Sequence, residues 1–441
     1  MAYQQALKYI ESFINYERIP FYKYKKSFKL ERIKDFLKIV GNPQDALKCI
    51  HVAGSKGKGS TSAFIAYILR EAGYKVGLYT SPHLNDFRER IRILSCQPSA
   101  ASHQLDFEGM ISKQDLSGLV KSLRVQIEKY NKYSQCGPLS FFEVCTAIAF
   151  LYFKKKKVDF AVLETGLGGR LDATNAIDAF VCVITPISYE HTDKLGSTLK
   201  EIAREKAGII KTPESVVISA PQQKQALSVI RARCRQVGVK LYEAGKDIIY
   251  KNDGLLLSVK SAFGEYNRIK IRMLGQHQMV NAAVAIGAVD ALRFHGINID
   301  PSYIRQGIYK AFWPGRCEII RRNPLVVLDG AQNVASVNAL KETIINNFEY
   351  KNLILVLGIS SDKDIKGICK NLYDLASIVI LTKSNNPRAV DPNLLAGYFK
   401  GKDIYITDNV KDSRAKACRI ASKDDLILVC GSLFVVGEFR K

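Results

Sequence analysis

The sequence predicts an α/β protein made of two domains, and two observations carry this prediction. First, short apolar segments rich in β-branched residues alternate with amphipathic helical segments, which is typical of parallel sheets covered by helices. Second, this alternation stops at Trp313-Pro314-Gly315-Arg316 and then begins again. A Pro-Gly pair favours a linker at that point, and a chain of 441 residues is long enough for two or three domains.

The larger, N-terminal domain is predicted to contain a parallel sheet and a small antiparallel patch. Residues 60–72 form an amphipathic helix between the first two strands. Two apolar runs within residues 248–259 flank Asn252-Asp253-Gly254, which is a hairpin signal, and with residues 269–273 they predict the antiparallel patch. The predicted strands of the parallel sheet are 49–53, 76–79, 160–163, 181–184 and 216–219.

The smaller, C-terminal domain repeats the same alternation. Its predicted strands are 326–328, 353–357, 378–381, 404–406 and 426–429. We therefore predict a first domain over residues 1–311, a linker at 312–316 and a second domain over 317–441. Residues 95–104 are small and polar and predict an exposed loop.

Composition excludes several classes of protein. With 47% apolar and 24% charged residues, the chain is neither disordered nor fibrous. No apolar run approaches the roughly 18–20 residues of a membrane helix, and we find no signal peptide. None of the ten cysteines forms a Cys-x-x-Cys motif, so we expect a cytoplasmic protein with free thiols.

The net charge of +23 indicates either an anionic partner or a surface rich in lysine. Because the basic residues are spread along the chain, we favour the surface and expect no nucleic-acid or membrane partner.

The strongest local motif is Gly54-Ser55-Lys56-Gly57-Lys58-Gly59-Ser60-Thr61, which lies between a predicted strand and a predicted helix. Glycines let the backbone wrap around a phosphate, and the amides at a helix start point towards it. Lys58 would contact the β- and γ-phosphates, and Ser60 or Thr61 could bind Mg²⁺. The motif is not a strict P-loop, because Val52 stands where its first glycine belongs and Gly59 replaces its hydroxyl residue. We predict nucleotide binding here.

Polar residues also follow other predicted strands of the first domain. Ser81 follows 76–79, Glu164 ends 160–163 before a glycine-rich loop, and His191 follows 181–184 after a loop. Ligands bind at the carboxyl ends of parallel strands, and oxygen ligands suit Mg²⁺. Ser81, Glu164 and His191 are therefore candidate metal ligands, whereas Lys206, judged from the residues alone, would be an ordinary surface lysine. In the second domain, the segment that begins at Asp329 likewise follows a strand.

In this order, the motifs resemble those of the folylpolyglutamate synthase/dihydrofolate synthase family, the folate branch of the Mur ligases. The most specific strings are Ser81-Pro82-His83-Leu84 and residues 166–175, and matching segments cover nearly the whole chain. The resemblance implies a Mur-ligase-like central domain, a Rossmann-like glutamate-ligase domain and a monomeric enzyme. It also implies an ATP-dependent amide ligase that joins L-glutamate to 7,8-dihydropteroate, or to the γ-carboxyl of tetrahydrofolate, through an acyl phosphate.

The resemblance also implies roles for individual residues. Contacts to ATP match Gly57, Lys58, Gly59, Ser60, Asn281, Arg316 and Asp329. The ligands of Mg²⁺, with two ions expected, match Ser81, Glu164 and His191. Contacts on the pterin side match Ser140, Phe141, Phe142, Glu143, Arg170, Leu171 and Asp172. Lys206 matches a substrate-side lysine that is carbamylated in this family, and the residues expected to act in catalysis are Lys58, Lys206, His191 and Asp329.

Two residues depart from the family pattern. Lys56 stands where the family usually has Asn, and Gln332 stands where it usually has His. Lys56 adds positive charge near the phosphates, and Gln332 can form hydrogen bonds but cannot take up a proton. These departures leave open a folate- or nucleotide-binding paralogue with impaired catalysis. A Mur-type ligase for another acid acceptor is a second open alternative.

Overall fold

The computed structural model describes residues 1–19, 22–96 and 107–441, so most of the predicted loop at 95–104 lies outside the described residues. These residues divide into two compact units. The first consists of Met1–His83, Phe87–Arg272 and Met279–Phe312, and the second of Leu84–Asp86, Met273–Gln278 and Trp313–Lys441. Two short segments thus belong to the second unit because Leu84 and Leu274 pack against its apolar clusters.

The first unit is built on a mixed sheet. Its strands are β1 Cys49–Ala53, β2 Val76–Tyr79, β3 Ile91–Leu94, β4 Phe160–Glu164, β5 Ala179–Ile184, β6 Val216–Ser219 and β7 Lys240–Glu243. They lie in the order β3-β2-β4-β1-β5-β6-β7, and all neighbours are parallel except β2 and β3. Every residue of β1, β2, β4 and β6 is buried, as expected for a sheet covered on both faces.

Several of the helices pack with this sheet into one large apolar cluster. The helices up to the small sheet are α1 Tyr3–Glu11, α2 Tyr24–Ser27, α3 Leu30–Ile39, α4 Lys58–Glu71, α5 Lys113–Tyr133, α6 Phe141–Lys156, α7 Thr192–Leu195, α8 Leu199–Ala207 and α9 Lys224–Val237. Those that follow it are α10 Gln276–Asp290 and α11 Pro301–Lys310. Within the described ranges, none of the helices is long and apolar enough to span a membrane.

The small antiparallel sheet is confirmed, but its third strand differs from the prediction. Its strands β8 Ile248–Asp253, β9 Leu256–Ser261 and β10 Gly264–Lys270 lie in the order β10-β9-β8. The prediction placed the last strand at 269–273. The register of β10 shifts between Tyr266 and Ile269, and this irregularity interrupts the apolar alternation that marks a strand.

The second unit contains another mixed sheet, with the order β11-β12-β16-β13-β14-β15. Its strands are β11 Glu318–Arg322, β12 Leu325–Leu328, β13 Leu353–Leu357, β14 Ile378–Leu381, β15 Asp403–Ile406 and β16 Leu426–Cys430. Its helices are α12 Val334–Asn347, α13 Ile365–Tyr373, α14 Pro392–Ala396, α15 Val410–Ile420 and α16 Leu433–Arg440. Neighbouring strands are parallel except β11 and β12. The predicted α/β class is confirmed.

Three strands were not predicted: β3, β7 and β11. Each lies at the edge of its sheet and carries charged residues, among them the exposed Lys240 in β7 and Arg321 in β11. Edge strands tolerate charge because one side faces away from the sheet, and this breaks up the apolar run on which the prediction depended.

Candidate active site

Strand β1 is followed by a loop, residues 54–57, and then by helix α4. Helix α4 begins at Lys58, so Gly59 and Ser60 lie in its first turn. Gly57 has a φ of 80°, and a Cβ atom there would collide with Oδ1 of Asn281. Glycine is therefore required at this position, both by the backbone conformation and by the approach of Asn281. The residues predicted to contact the phosphates therefore lie next to Asn281, another predicted contact to ATP.

The loop amides do not all face the same way. The amides of Ser55 and Lys56 donate hydrogen bonds to the carbonyl oxygen of Pro186 at 3.0 and 3.1 Å. A phosphate would therefore be bound by the amides from Gly57 onwards, at the start of α4, where helix N–H groups lack partners within the helix.

Glu164, at the end of β4, lies among polar groups from neighbouring elements. Its Oε2 accepts a hydrogen bond from the amide of Ser81 at 3.3 Å, and its Oε1 lies 3.9 Å from Nζ of Lys58. Glu164 is buried. The structure thus brings together Lys58, Ser81 and Glu164, and a buried carboxylate with a nearby hydroxyl residue is a donor set that fits Mg²⁺.

His191 lies in the segment after β5, with an exposed side chain. Its neighbour Glu190 forms an ion pair with Lys56, with 2.9 Å between Oε1 and Nζ. Burial raises the pKa of Glu190, but the positive charges of Lys56 and Lys58 outweigh it and lower the value to about 2. Among the residues that the structure describes, no group of three or more His, Cys, Asp or Glu side chains could hold a metal ion. The set of Ser81, Glu164 and His191 stays a prediction.

Lys206 is not the surface lysine that its position in the sequence suggested. Only 3% of it is exposed, and its Nζ donates a hydrogen bond to the carbonyl oxygen of Gly54 at 2.7 Å. Burial and the nearby charge of Lys58 lower the pKa of Lys206 to about 7. A large fraction of the amine is therefore neutral near neutral pH, and a neutral amine is a nucleophile.

The glycine-rich loop after β4, residues 165–172, packs against α8. A Cβ atom on Gly169 would lie only 2.8 Å from the carbonyl oxygen of Lys206, so this approach requires glycine. Nη2 of Arg170 lies 2.8 Å from Oε1 of Glu205, and the half-buried Leu171 packs against the core. The loop is thereby fixed to the helix that carries Lys206.

Asp172 is fully buried. Its carboxylate accepts hydrogen bonds from the amide of Leu167 at 2.8 Å and from Oγ1 of Thr174 at 2.6 Å. Burial raises the pKa of Asp172, although these hydrogen bonds oppose the rise. Its visible role is to hold the glycine-rich loop in place, and its proposed contact with a pterin stays a prediction.

The start of α6 is a buried helix cap. Oε2 of Glu143 accepts hydrogen bonds from the amide and the hydroxyl of Ser140 at 2.7 Å, and Nε of Arg32 donates to both carboxylate oxygens of Glu143 at 2.8 and 2.9 Å. Phe141 is buried in the core. Phe142 is half-buried, and a Cβ atom on Gly166 would lie 2.7 Å from its Cζ. Among these predicted pterin contacts, Phe142 packs on the glycine-rich loop.

In the second unit, the predicted polar site follows β12. Asp329 accepts hydrogen bonds from the amides of Cys317 at 2.7 Å and Ala331 at 2.8 Å. Burial raises the pKa of Asp329, while the charge of Arg316 opposes the rise. A Cβ atom on Gly330 would lie 2.6 Å from Nη1 of Arg316, so the guanidinium lies close above the loop. Gln332 is half-buried, and its backbone amide donates a hydrogen bond to Oγ of Ser336 at 3.1 Å.

Sequence reasoning missed three residues that shape these sites: Glu190, Arg32 and His51. Glu190 could have been found, because it directly precedes His191 after a buried strand. No local signal marks Arg32, which lies 111 residues from Glu143 along the chain. His51 is buried in β1, and its Nε2 lies 2.8 Å from Oγ1 of Thr174.

Comparison with known proteins gives two matching family models. The Mur ligase middle domain matches residues 111–289, and the Mur ligase glutamate ligase domain matches residues 315–433. Similar relatives include dihydrofolate synthase/folylpolyglutamate synthase of Bacillus subtilis, which is 34% identical over 100% of this chain and 99% of its own length. A protein of the same name from Escherichia coli is 31% identical over 93% of this chain and 90% of its own length.

Solved structures are similar over nearly the full length. Folylpolyglutamate synthase of Mycobacterium tuberculosis, complexed with ADP and AMPPCP, has a TM-score of 0.83 and 30% identity over 95% of this chain and 96% of that one. E. coli FolC, in complex with DHPP and ADP, has a TM-score of 0.84 and 28% identity over 99% of this chain and 96% of that one.

Proposed function

The chain belongs to the folylpolyglutamate synthase/dihydrofolate synthase family of Mur ligases, and from this membership we propose that it joins L-glutamate to 7,8-dihydropteroate and to the γ-carboxyl of tetrahydrofolate. It is an ATP-dependent ligase of small molecules. The observation that carries the proposal is the position of Lys58, which begins α4 and whose Nζ lies 3.9 Å from Oε1 of Glu164. The loop before it requires glycine at position 57.

The reaction needs activation of a carboxylate, because its oxygen is a poor leaving group. Transfer of the γ-phosphoryl group of ATP forms an acyl phosphate, which the amine of L-glutamate attacks with release of phosphate. Lys58 and the amides of Gly57, Gly59 and Ser60 would bind the phosphates and neutralise their charge. Asn281, Arg316 and Asp329 are further proposed contacts to ATP.

Ser81, Glu164 and His191 would hold Mg²⁺. When bound, Mg²⁺ supplies a positive charge that polarises the phosphoryl oxygens. The proposed carbamylation of Lys206 would convert a buried cation into an anion, and the lowered pKa of this lysine supports it. We assign the pterin to the glycine-rich loop and the start of α6, where Phe142 offers an aromatic face.

Two further assignments complete the proposal. All ten cysteines are free, which supports a reducing, cytoplasmic location. The enzyme is proposed to act as a monomer, which light scattering of the purified protein tests directly.

The decisive experiment measures phosphate release by the purified protein with Mg-ATP and L-glutamate, using dihydropteroate or tetrahydrofolate as the acceptor. We expect turnover with both. Relatives of similar identity carry one name only, dihydrofolate synthetase in Saccharomyces cerevisiae and folylpolyglutamate synthase in Lacticaseibacillus casei, so turnover with a single acceptor would limit the enzyme to that reaction. Lack of turnover with either acceptor, in a protein that binds ADP, would favour a catalytically impaired paralogue, the alternative suggested by Gln332 and Lys56.

A further inference from the structure

Two segments of the first unit are joined by a row of contacts: the phosphate loop, residues 54–57, and the β5 loop, residues 185–191. The carbonyl oxygen of Pro186 accepts hydrogen bonds from the amides of Ser55 and Lys56. Oγ of Ser55 donates to the carbonyl oxygen of Ser188 at 3.0 Å and accepts from its amide at 3.1 Å. Up to Ser188, the β5 loop is therefore attached through its backbone, to the amides of the phosphate loop and to the hydroxyl of Ser55.

The next contact along the β5 loop is made by side chains. Nζ of Lys56 lies 2.9 Å from Oε1 of Glu190, and the two side chains are 32% and 23% exposed. This ion pair connects the phosphate loop to the residue that directly precedes His191. Lys58, Lys206 and His191 also carry or can carry positive charge near Glu190, and of these Lys58 directly follows the phosphate loop.

We propose that Lys56 is a positioning residue whose ion pair with Glu190 holds the β5 loop, and with it His191, against the phosphate loop. The loop is thereby placed in advance for the Mg²⁺ complex of the nucleotide. This inference rests on the proposed function, because it assumes that ATP phosphates bind at Gly57–Ser60 and that His191 faces Mg²⁺. It assigns a role to Lys56, one of the two residues that depart from the family pattern.

The competing explanation is that Lys56 attracts phosphate directly by its charge. The two explanations predict opposite effects of Glu190→Gln on nucleotide binding. If Lys56 acts by charge, removal of a carboxylate beside the phosphates strengthens nucleotide binding. If the ion pair positions the β5 loop, the same substitution weakens binding of the Mg²⁺ complex.

The experiment measures the dissociation constant of ADP by calorimetry, with and without Mg²⁺, in the full-length protein. We expect Lys56→Asn and Glu190→Gln each to weaken Mg-ADP binding about fivefold, as for the loss of a partly exposed ion pair. Binding of ADP without Mg²⁺ should change less than about twofold, and Lys56→Arg should retain wild-type affinity, because an arginine can keep the ion pair. Stronger binding by Glu190→Gln, or an equal loss with and without Mg²⁺ in Lys56→Asn, would overturn the proposal.

Hydrogen exchange of the nucleotide-free protein separates this inference from the proposed function. Lys56→Asn should speed amide exchange in residues 187–191, whereas Lys246→Asn, which removes a surface lysine beside Asp247, should not. If the wild-type protein binds no ADP, the proposed function fails, while the exchange experiment still tests the ion pair. Unchanged exchange in Lys56→Asn would contradict the positioning role.

Discussion

At the scale of single residues, Lys206 shows how burial prepares a side chain for chemistry. An ordinary lysine is almost entirely protonated at neutral pH. Lys206 has a pKa lowered to about 7 by burial and by Lys58, so its neutral fraction rises steeply between about pH 6 and pH 8. Carbamylation consumes the neutral amine, and its extent should therefore rise with pH over the same range.

We expect wild-type protein under a fixed pressure of ¹³CO₂ to give a carbamate carbon signal in the NMR spectrum that grows between about pH 6 and pH 8. Lys206→Met should lose most of this signal, because surface lysines with ordinary pKa values stay charged over this range. Any remainder is expected from Lys211, whose pKa burial also lowers. A signal of equal size in Lys206→Met would assign the carbamate to another lysine. A wild-type signal that appears only near pH 10 would contradict the lowered pKa.

Gln332 tests whether a proton is transferred at this position. The residue is half-buried two positions before α12, where an amide side chain can orient a substrate by hydrogen bonds but cannot accept a proton. We expect Gln332→Val to lower kcat/KM at least about tenfold through loss of these hydrogen bonds. Gln332→His should be neutral or faster. A Val variant as fast as wild type would exclude an orienting role, and the pH profiles of the Gln and His enzymes would then be compared for a new ionisation.

At the scale of elements, the junction of β1, the phosphate loop and α4 requires glycine at Gly57. Gly57 and Gly238 have nearly the same φ, 80° and 79°, so alanine costs about 1 kcal/mol of backbone strain at either position. Only at Gly57 would the new Cβ collide with another residue, Asn281, whereas Gly238 has open space around it. Comparing alanine at the two positions therefore separates the effect of backbone strain from the effect of displacing Asn281.

We expect Gly57→Ala to abolish detectable ADP binding in a calorimetric titration, because Asn281 must move and the loop amides with it. Gly238→Ala is the matched control and should bind ADP as the wild type does, with a small loss in melting temperature. Equal affinities of the two variants would show that the loop adjusts without cost.

The extent of sequence-based prediction follows from the range of the interactions involved. The buried strands β1 and β13 and the loop motif at Gly54–Thr61 were predictable, because each is specified by consecutive residues. The edge strands β3, β7 and β11 were not, because their charged residues hide the pattern. The ion pair of Arg32 with Glu143 was out of reach, because its partners are 111 residues apart.

The site shows the same division. Ser81 and Glu164 were predicted to lie close together from their places at strand ends, and the hydrogen bond between them agrees with this. The burial of Lys206 could not be predicted from its own helix, since the carbonyl group that its amine contacts belongs to Gly54, 152 residues away. Local sequence thus specified which residues are polar, but tertiary packing specified which of them are buried.

At the scale of the whole molecule, the net charge of +23 is the property that no single site explains. A positive field attracts anionic substrates over distances comparable to the Debye length, about 10 Å at 0.1 M salt, and salt weakens it. Each γ-linked glutamate adds one negative charge to a folate. If the field gathers substrates, its effect must grow with the length of the glutamate chain.

We therefore expect kcat/KM to fall with added salt more steeply for tetrahydrofolate with three glutamates than for tetrahydrofolate with one, and least for dihydropteroate. Between about 0.02 and 0.3 M KCl, a difference of roughly threefold between the longest and the shortest acceptor is expected for a screened field. The acceptors serve as controls for one another, because ATP and L-glutamate are common to all three assays. Parallel salt profiles would mean that the excess of lysine and arginine acts on none of the three acceptors. The charge would then be a property of the surface at large, as its even spread along the sequence also predicts.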